Sequence, residues 1–212
     1  YMEDFVVKVI LVGATGVGKT SFITRYCDRT IIDDFHTPTI GVDLKVSKHD
    51  VEGKKIKCHV WDTAGQDNFE TIVTTYFKGV GGVVAVFDVT NPSSLKKAEQ
   101  WIKKVELQNN ATVLPVMLLA NKIDKTHDMS TIREAQNLAD TFGWIYKEVS
   151  SKNNLNVDNA FNALIDEIYY KVIKENIESP GIKVAGTNDT VRLLSRDCTN
   201  SSSGIFKCCR VS

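Results

Sequence analysis

The residues with the clearest chemical meaning lie in one short stretch that contains glycines, a lysine and a threonine. Residues 13–20 of this 212-residue chain follow the pattern G-x-x-x-x-G-K-T, directly after an apolar run. Glycines allow backbone N–H groups to surround a phosphate, and the start of a helix adds positive potential. The lysine can reach two phosphates, and the threonine hydroxyl can bind Mg²⁺. The pattern predicts a phosphate-binding loop with these candidate contacts: Gly13, Ala14, Thr15, Gly16, Val17, Gly18, Lys19, Thr20 and Ser21.

A second motif, Asp62-Thr63-Ala64-Gly65, follows an alternating strand pattern and is itself followed by Gln66. Asp62 can hold Mg²⁺ through its water shell, and the N–H of Gly65 can meet the last phosphate of a triphosphate. The Gln66 amide can orient an attacking water. The pattern Asp-x-x-Gly alone is common, but after a strand and downstream of a phosphate-binding loop it predicts a site of triphosphate hydrolysis.

Two further motifs predict which base the nucleotide carries. Asn121-Lys122-Ile123-Asp124 follows an apolar strand, and the Asp124 carboxylate can accept hydrogen bonds from the N1–H and 2-amino groups of guanine. Adenine lacks this pair of donors, so Asp124 selects GTP over ATP. Lys122 can lie along the base, while Asn121 ties this loop to the phosphate-binding loop. After the last strand, backbone N–H groups that can bind the guanine O6 belong to Ser150, Ser151 and Lys152.

Hydrophobic periodicity predicts the elements that position these motifs. The predicted strands are Phe5–Val12, 42–46, 56–60, Gly82–Val89, Val113–Ala120 and Ile145–Val149. The predicted helices are Thr20–Asp28, Pro92 to Val105, Ser130–Phe142 and a long closing helix from Val157 to Val172. A turn at Gly53 makes the second and third strands an antiparallel hairpin. Apolar alternation (Val42, Leu44, Val46) predicts that the second strand is half-buried, at one edge of the sheet.

Strands that alternate with helices predict an α/β fold, an open and mostly parallel six-stranded sheet with one antiparallel edge strand and helices on both faces. Together with the four motifs, this arrangement resembles the P-loop NTPase fold in its small G-protein form, and the ligand of such a sheet is expected across the carboxyl ends of the strands. All four motifs fall at such ends. We expect one nucleotide-binding domain over residues 1–175 and a flexible tail over 176–212, where apolar residues become sparse.

Composition limits the partners. Lys+Arg and Asp+Glu both number 26, so the formal net charge is zero and a nucleic-acid partner is not expected. No apolar run approaches the roughly 20 residues that a membrane-spanning helix needs. The five cysteines show no zinc-type spacing, and their scattered thiols favour a reducing compartment.

The motifs together resemble the Ras superfamily, and specifically its Rab family, over about residues 5–175. The stretches most similar to Rab proteins are Thr39-Ile40-Gly41-Val42-Asp43-Leu44, Trp61-Asp62-Thr63-Ala64-Gly65-Gln66 and Cys208-Cys209. The resemblance implies that the Thr39 hydroxyl binds Mg²⁺ and that its N–H meets the γ-phosphate. The implied roles are catalysis by Gln66, Lys19 and Thr39, metal binding by Thr20, Thr39 and Asp62, effector contact by Leu44, Trp61 and Tyr76, and lipidation of Cys208 and Cys209.

By this resemblance the protein is a GTP hydrolase that switches between GDP- and GTP-bound states in vesicle trafficking, with Mg²⁺ as cofactor and with slow intrinsic turnover. The implied partners are an exchange factor, a GTPase-activating protein, effectors and an escort protein that binds prenyl groups. We expect a cytoplasmic monomer, attached to the cytosolic face of an intracellular membrane through its lipids. Two alternatives stay open: a P-loop kinase of a small molecule, and a nucleotide-locked scaffold without turnover. For Leu44 and Trp61, ordinary core positions are the competing interpretation.

The sequence departs from the Rab pattern mainly between Thr20 and Thr39, where it is one residue longer. The aromatic residue that covers the base in the family would be Ile31 counted from the phosphate-binding loop, and Ile32 counted back from Thr39. Neither is aromatic, so Phe35 is the third candidate. These departures bear on partners and on nucleotide release rather than on the chemistry of hydrolysis.

Overall fold

The structure, a computed structural model, describes residues 3–30, 39, 41–65, 73–109, 114–174 and the backbone of 191–193. The strands are β1 (Phe5–Val12), β2 (Val42–Val51), β3 (Lys54–Thr63), β4 (Gly82–Asp88), β5 (Val116–Asn121), β6 (Ile145–Val149) and β7 (Val191–Leu193). The helices are α1 (Lys19–Asp28), α2 (Pro92–Asn109), α3 (Met129–Phe142) and α4 (Val157–Ile168), and α4 continues as a π-helix, Tyr169–Lys174.

The first six strands have the order β2-β3-β1-β4-β5-β6, and within this order every neighbouring pair is parallel except β2–β3; the short β7 also joins the sheet, antiparallel to β1. The predicted fold class is confirmed, including the antiparallel strand at one edge. The hairpin turn is tight because Glu52 and Gly53 both have positive φ, 50° and 75°. The central strands are buried on both faces, as their continuous apolar runs predict.

Helices cover both faces of this sheet and bury two cores. One core contains side chains of α1 and α4, among them Phe22 and Phe161. The other contains the predicted stripe of α2, in which Leu95, Ala98, Trp101, Ile102 and Val105 are all buried. Burial of a large apolar side chain contributes about 1.5–3 kcal/mol relative to exposure, so these stripes hold the helices against the sheet.

The buried face of β2 is not the one that its apolar residues predict. Leu44 and Val46 are 43% and 45% exposed, whereas His49 faces the core between Tyr26 and Phe161, with ring centroids 6.1 and 5.8 Å apart. Burial lowers the pKa of His49 to about 4. The physical reason is register: Ser47 and His49 pair with the buried Cys58 and Ile56 of β3, and paired residues share a face of the sheet.

The C-terminal part also differs from the prediction. The closing helix is not one regular α-helix, since its last turns are a π-helix held by the hairpin turn. There Glu52 accepts hydrogen bonds from the hydroxyls of Tyr169 and Tyr170, both at 3.0 Å, and from Lys174 Nζ at 3.1 Å. The short β7, inside the predicted flexible tail, pairs antiparallel with Phe5–Val7, so at these three residues the tail is not unstructured.

No helix within the described ranges combines the length and the apolar character that crossing a membrane requires.

Candidate functional site

The phosphate-binding loop (residues 13–18) connects β1 to α1, and its glycines are required by close backbone contacts. Gly13 has φ 137°, and a Cβ placed there would lie 2.2 Å from the carbonyl oxygen of Val86. Gly18 has φ 97°, and its Cβ would lie 2.3 Å from Asn121 Nδ2. Both positions therefore exclude larger residues through backbone conformation and through contact with neighbouring strand ends. The predicted strand–loop–helix arrangement is confirmed.

Lys19 begins α1 and folds back over this loop. Its Nζ donates hydrogen bonds to the carbonyl oxygens of Gly13 and Ala14, both at 2.9 Å. Burial lowers the pKa of Lys19 to about 8, while nearby Asp62 opposes that shift. An anionic phosphate at this position would offset the cost of keeping the ammonium charged, because an opposite charge favours the charged form.

Three oxygen-bearing side chains meet beside Lys19. Thr20 Oγ1 lies 2.6 Å from Thr39 Oγ1 and donates to Asp62 Oδ2 at 2.5 Å. Burial raises the pKa of Asp62, opposed by the hydrogen bond from Thr20 and the charge of Lys19. Among the described residues, Asp62 Oδ1 is the buried side-chain atom without a hydrogen-bond partner.

This donor set fits Mg²⁺. Hydroxyl and carboxylate oxygens are hard ligands, and Mg²⁺ is usually held by one or two carboxylates together with phosphate oxygens and waters. The unpartnered Oδ1 of Asp62 is the atom that such an ion, or a water bound to it, would satisfy. In the described part of the chain, no cluster of three His, Cys, Asp or Glu side chains suited to a metal occurs. Thr20, Thr39 and Asp62 are therefore the residues that would hold the ion.

Gly65 lies against the phosphate-binding loop. A Cβ at Gly65 would lie 2.5 Å from both Lys19 Nζ and the carbonyl carbon of Ala14. The neighbouring Ala64 donates its N–H to the carbonyl oxygen of Gly41 at 2.9 Å, which joins this motif to the residues after Thr39. The structure thus brings Gly65 to the predicted phosphate end of the site.

Asn121 links the two ends of the site, as the sequence predicts. Its Nδ2 donates to the carbonyl oxygen of Val17 at 2.8 Å, within the phosphate-binding loop. Its Oδ1 accepts hydrogen bonds from the N–H of Ser151 at 3.1 Å and from the hydroxyl of Ser151 at 3.0 Å. One buried amide therefore fixes the phosphate-binding loop against the loop after β6.

Asp124 and Lys122 are each held by a second residue. The Ser150 hydroxyl donates to Asp124 Oδ1 at 2.6 Å, which fixes the plane of that carboxylate. Lys122 Nζ donates to the carbonyl oxygen of Gly16 at 2.6 Å and pairs with Asp88 Oδ2 at 2.7 Å. Burial works to raise the pKa of Asp88, but hydrogen bonds from Lys122 and Thr90 hold it below its usual value.

Of the predicted effector residues, Leu44 is exposed, whereas Trp61 and Tyr76 pack against the edge of the core that α2 covers. Trp61 and Tyr76 are half-buried with ring centroids 5.0 Å apart, and Leu44 pairs with Trp61 across the β2–β3 hairpin. Lys8 Nζ lies 5.5 Å from the centroid of the Trp61 ring. The alternation that predicted one shared apolar face for Leu44 and Trp61 is confirmed.

Some predicted positions lie outside the described residues: the catalytic Gln66, the candidate base-covering residues Ile31, Ile32 and Phe35, and the cysteines Cys208 and Cys209. Their roles stay predictions.

Two residues of the site had not been predicted, Asp88 and Arg25. Asp88 carries a sequence signal, since it is a polar residue at the end of an apolar strand like Asp62 and Asn121. Arg25 carries none, because its hydrogen-bond partners are 126 and 127 residues away.

Comparison with known proteins identifies the relatives of this chain. The family model described as the Ras family matches residues 8–170. The chain is 37% identical over 185 residues to "Ras-related protein RABE1d" of Arabidopsis thaliana, covering 85% of each chain. It is 39% identical over 171 residues to "Ras-related protein Rab-8B" of Dictyostelium discoideum, covering 80% of this chain and 83% of that protein. It is 37% identical over 175 residues to "GTP-binding protein yptV2" of Volvox carteri, covering 82% and 80%.

Proposed function

The chain belongs to the Ras family and is a small GTPase of the Rab type, and on this premise we propose that it is a GTP-driven switch in vesicle trafficking. The observation that supports the proposal most strongly is the Asn121 link, in which one amide bonds both to Val17 in the glycine-rich loop and to Ser151 in the loop after β6. A kinase of a small molecule would need a second pocket for its acceptor. A nucleotide-locked scaffold would bind nucleotide through Lys19 and Thr39 as well, but it would not need Gln66, whose role is hydrolysis alone.

Binding would use both ends of the site. At the phosphate end, backbone N–H groups of residues 13–18 surround the phosphates and Lys19 contributes a buried positive charge. At the base end, Asp124 accepts from the N1–H and 2-amino groups of guanine, held in place by Ser150. Lys122, fixed by Gly16 and Asp88, lies along the base. Each residue thus enters binding already oriented, which lowers the entropy cost of association.

Hydrolysis requires a water in line with the γ-phosphate. Gln66 would orient that water, while Lys19 and the N–H groups of Thr39 and Gly65 stabilise the charge on the phosphate oxygens. Thr20, Thr39 and Asp62 would hold Mg²⁺, which would neutralise negative charge on the phosphates when bound. Arg25 bonds to the loop after β6 and Arg29 bonds to Asp158, and the reaction we propose is a slow intrinsic one that a GTPase-activating protein completes.

Switching follows from which contacts need the γ-phosphate. Thr39 and Gly65 would lose a partner on hydrolysis, and the hydrogen bond from Ala64 to Gly41 couples the two segments. Leu44 follows Gly41 closely and pairs with Trp61, so the exposed apolar surface at Leu44 would change with the same event. Effectors would then distinguish the GTP form from the GDP form through this surface.

Phosphate release under multiple turnover tests the reaction. With GTP we expect slow, repeated release of phosphate, and with ATP, with or without added small-molecule acceptors, none above background. Gln66→Leu should still bind GTP but release phosphate at least tenfold more slowly, because the oriented water is lost. Gln100→Leu, on the exposed face of α2, is the matched control and should behave as the parent. Equal rates in Gln66→Leu and the parent would contradict the proposed mechanism.

Membrane attachment would come from Cys208 and Cys209, which follow β7 in the chain. One lipid chain gives marginal and reversible binding, whereas two anchor stably. Residues 175–212 carry five Lys/Arg and four Asp/Glu, so no basic cluster adds to membrane affinity. We therefore propose that both cysteines carry prenyl groups on a protein located at the cytosolic face of an intracellular membrane.

Replacing Cys208 and Cys209 together by Ser should leave GTP binding unchanged and move the protein wholly into the cytosol. Either single replacement should weaken attachment without abolishing it. Cell fractionation measures the distribution, and Cys27→Ser, a half-buried thiol of α1, is the control that should stay on membranes. Intact-mass analysis of the native protein that finds no lipid on either cysteine would overturn the proposal.

A further inference from the structure

Arg25 is a buried arginine that the proposed function does not use. Arg25 lies on α1 and is only 8% exposed, and two nitrogens of its guanidinium donate hydrogen bonds. Nε donates to the carbonyl oxygen of Ser151 at 3.1 Å, and an Nη donates to the carbonyl oxygen of Lys152 at 2.6 Å. A planar guanidinium with two bonds to successive carbonyls fixes their direction more firmly than a single bond would.

These two carbonyls belong to the loop after β6, which the site uses at its base end. The other backbone groups of this loop are held elsewhere. The N–H of Ser150 donates to the carbonyl oxygen of Leu155 at 3.1 Å, and the N–H of Ser151 donates to Asn121 Oδ1. The orientation of the remaining peptide, between Ser151 and Lys152, is set from α1 by Arg25.

The direction of the Lys152 N–H follows from peptide geometry. The carbonyl of Ser151 and the N–H of Lys152 belong to one planar trans unit, in which they point in opposite directions. Because Arg25 holds the carbonyl toward α1, the N–H points away from α1. Rotation of this peptide would have to break a charge-assisted hydrogen bond in a buried place, which is costly.

We infer that Arg25 is a positioning residue for the purine 6-oxo group, acting by holding the Lys152 N–H in the direction from which it binds guanine O6. The inference rests on the proposed binding of guanine nucleotides and deepens it. Arg25 touches neither base nor phosphate in this role. Asp124 recognises the N1–H and the 2-amino group of guanine. Arg25 adds specificity for the 6-oxo group, which is adjacent to N1.

Three nucleotides distinguish recognition by the Lys152 N–H from recognition by Asp124. GDP carries the 6-oxo and 2-amino groups, 6-thio-GDP replaces only the 6-oxo oxygen by sulfur, and IDP lacks only the 2-amino group. Sulfur is a weaker and longer acceptor, so the ratio of GDP to 6-thio-GDP affinity measures the bond from the Lys152 N–H. The ratio of GDP to IDP affinity measures Asp124 instead.

The experiment compares full-length parent, Arg25→Lys and Arg25→Gln by competition binding with these three nucleotides. Lys keeps the charge but cannot donate to both carbonyls in one plane, and Gln removes the charge. We expect GDP affinity to fall by up to about tenfold, the upper value of one neutral hydrogen bond, here the bond from the Lys152 N–H to guanine O6. The GDP to 6-thio-GDP ratio should fall by a similar factor, while the GDP to IDP ratio should stay as in the parent.

Arg29→Lys is the matched control. Arg29 lies at the end of the same helix and pairs with Asp158 of α4 at 2.5 Å, with no bond to the loop after β6. It should leave both ratios unchanged. Both nucleotides of a ratio are measured on one preparation, so a partly unfolded fraction lowers both affinities and does not move the ratio.

The outcomes are distinct. A lowered GDP to 6-thio-GDP ratio with an unchanged GDP to IDP ratio supports the positioning role. If GDP binds the parent and both ratios in Arg25→Lys and Arg25→Gln equal those of the parent, Arg25 is structural only and the inference fails. If both ratios fall together, Arg25 holds the whole base loop without selecting the 6-oxo group, and the inference is again wrong. A parent that binds no GDP contradicts the proposed function itself, and this inference with it.

Discussion

Asp124→Asn is expected to lower the affinity for GTP by about 10- to 150-fold, since one hydrogen bond to a carboxylate, worth about 1.5–3 kcal/mol, is lost. The carboxylate accepts two hydrogen bonds from guanine, whereas an amide accepts only one. The same substitution should raise the affinity for xanthosine triphosphate, whose 2-oxo group accepts where guanine donates. Competition binding of GTP and xanthosine triphosphate measures both changes.

The structure indicates how the new amide would be oriented. The N–H of Asn153 donates to Ser150 Oγ at 3.1 Å, so the Ser150 hydroxyl directs its own proton to position 124. In the variant Asp124→Asn, the side-chain amide would therefore place its oxygen toward Ser150 and its NH₂ toward the base. Asp128→Asn, at the start of α3, is the matched control because Asn also caps a helix well. GTP affinity within a factor of two of the parent in Asp124→Asn would show that this residue does not recognise the base.

Lys19→Met should lower the affinity for nucleotide by about 10²- to 10³-fold, so that a GDP concentration that just saturates the parent leaves the variant largely unbound, because a buried charge that bonds to phosphate is removed without a substitute. The unbranched Met side chain keeps the apolar contacts of the lysine stem. In the parent, GDP should raise the melting temperature in proportion to the logarithm of its concentration, and in Lys19→Met this rise should be lost at GDP concentrations that just saturate the parent.

Two measurements separate binding from folding in this variant. The nucleotide-free melting temperature shows whether Lys19→Met is folded. The matched control is Lys103→Met, which removes a half-exposed lysine whose partner is Glu99 on the surface of α2. Lys103→Met should bind GDP as the parent does. Retention of GDP by Lys19→Met within tenfold of the parent would contradict the role of the ammonium at the phosphates.

The sequence alone was sufficient for the fold and for the motifs of the site, because both depend on residues that are close together in the chain. The run Phe5–Val12, the glycines after it and the start of α1 form one uninterrupted segment, and their types predict strand, loop and helix without knowledge of the rest. Parallel strands place their carboxyl ends at one edge of a sheet, so Asp62, Asn121 and Ser150 could be predicted to meet from their positions after strands.

Only the tertiary structure decided which face of β2 is buried. An alternation of period two shows which residues share a face, but not which face meets the core. The apolar Leu44 and Val46 predicted the wrong face because register with β3 turned Ser47 and His49 inward. The result is an exposed apolar surface beside Trp61, which a strand pattern by itself cannot distinguish from core.

The supporting contacts of the site were likewise decided by tertiary structure. Arg25 meets the loop after β6, and Asp88 meets Lys122, across long stretches of intervening chain. No local pattern records such a partner, since a hydrogen bond between distant residues exists only once helix position, strand register and loop direction are all set. The sequence therefore determined which chemistry is present, and packing determined how firmly each group that performs it is held.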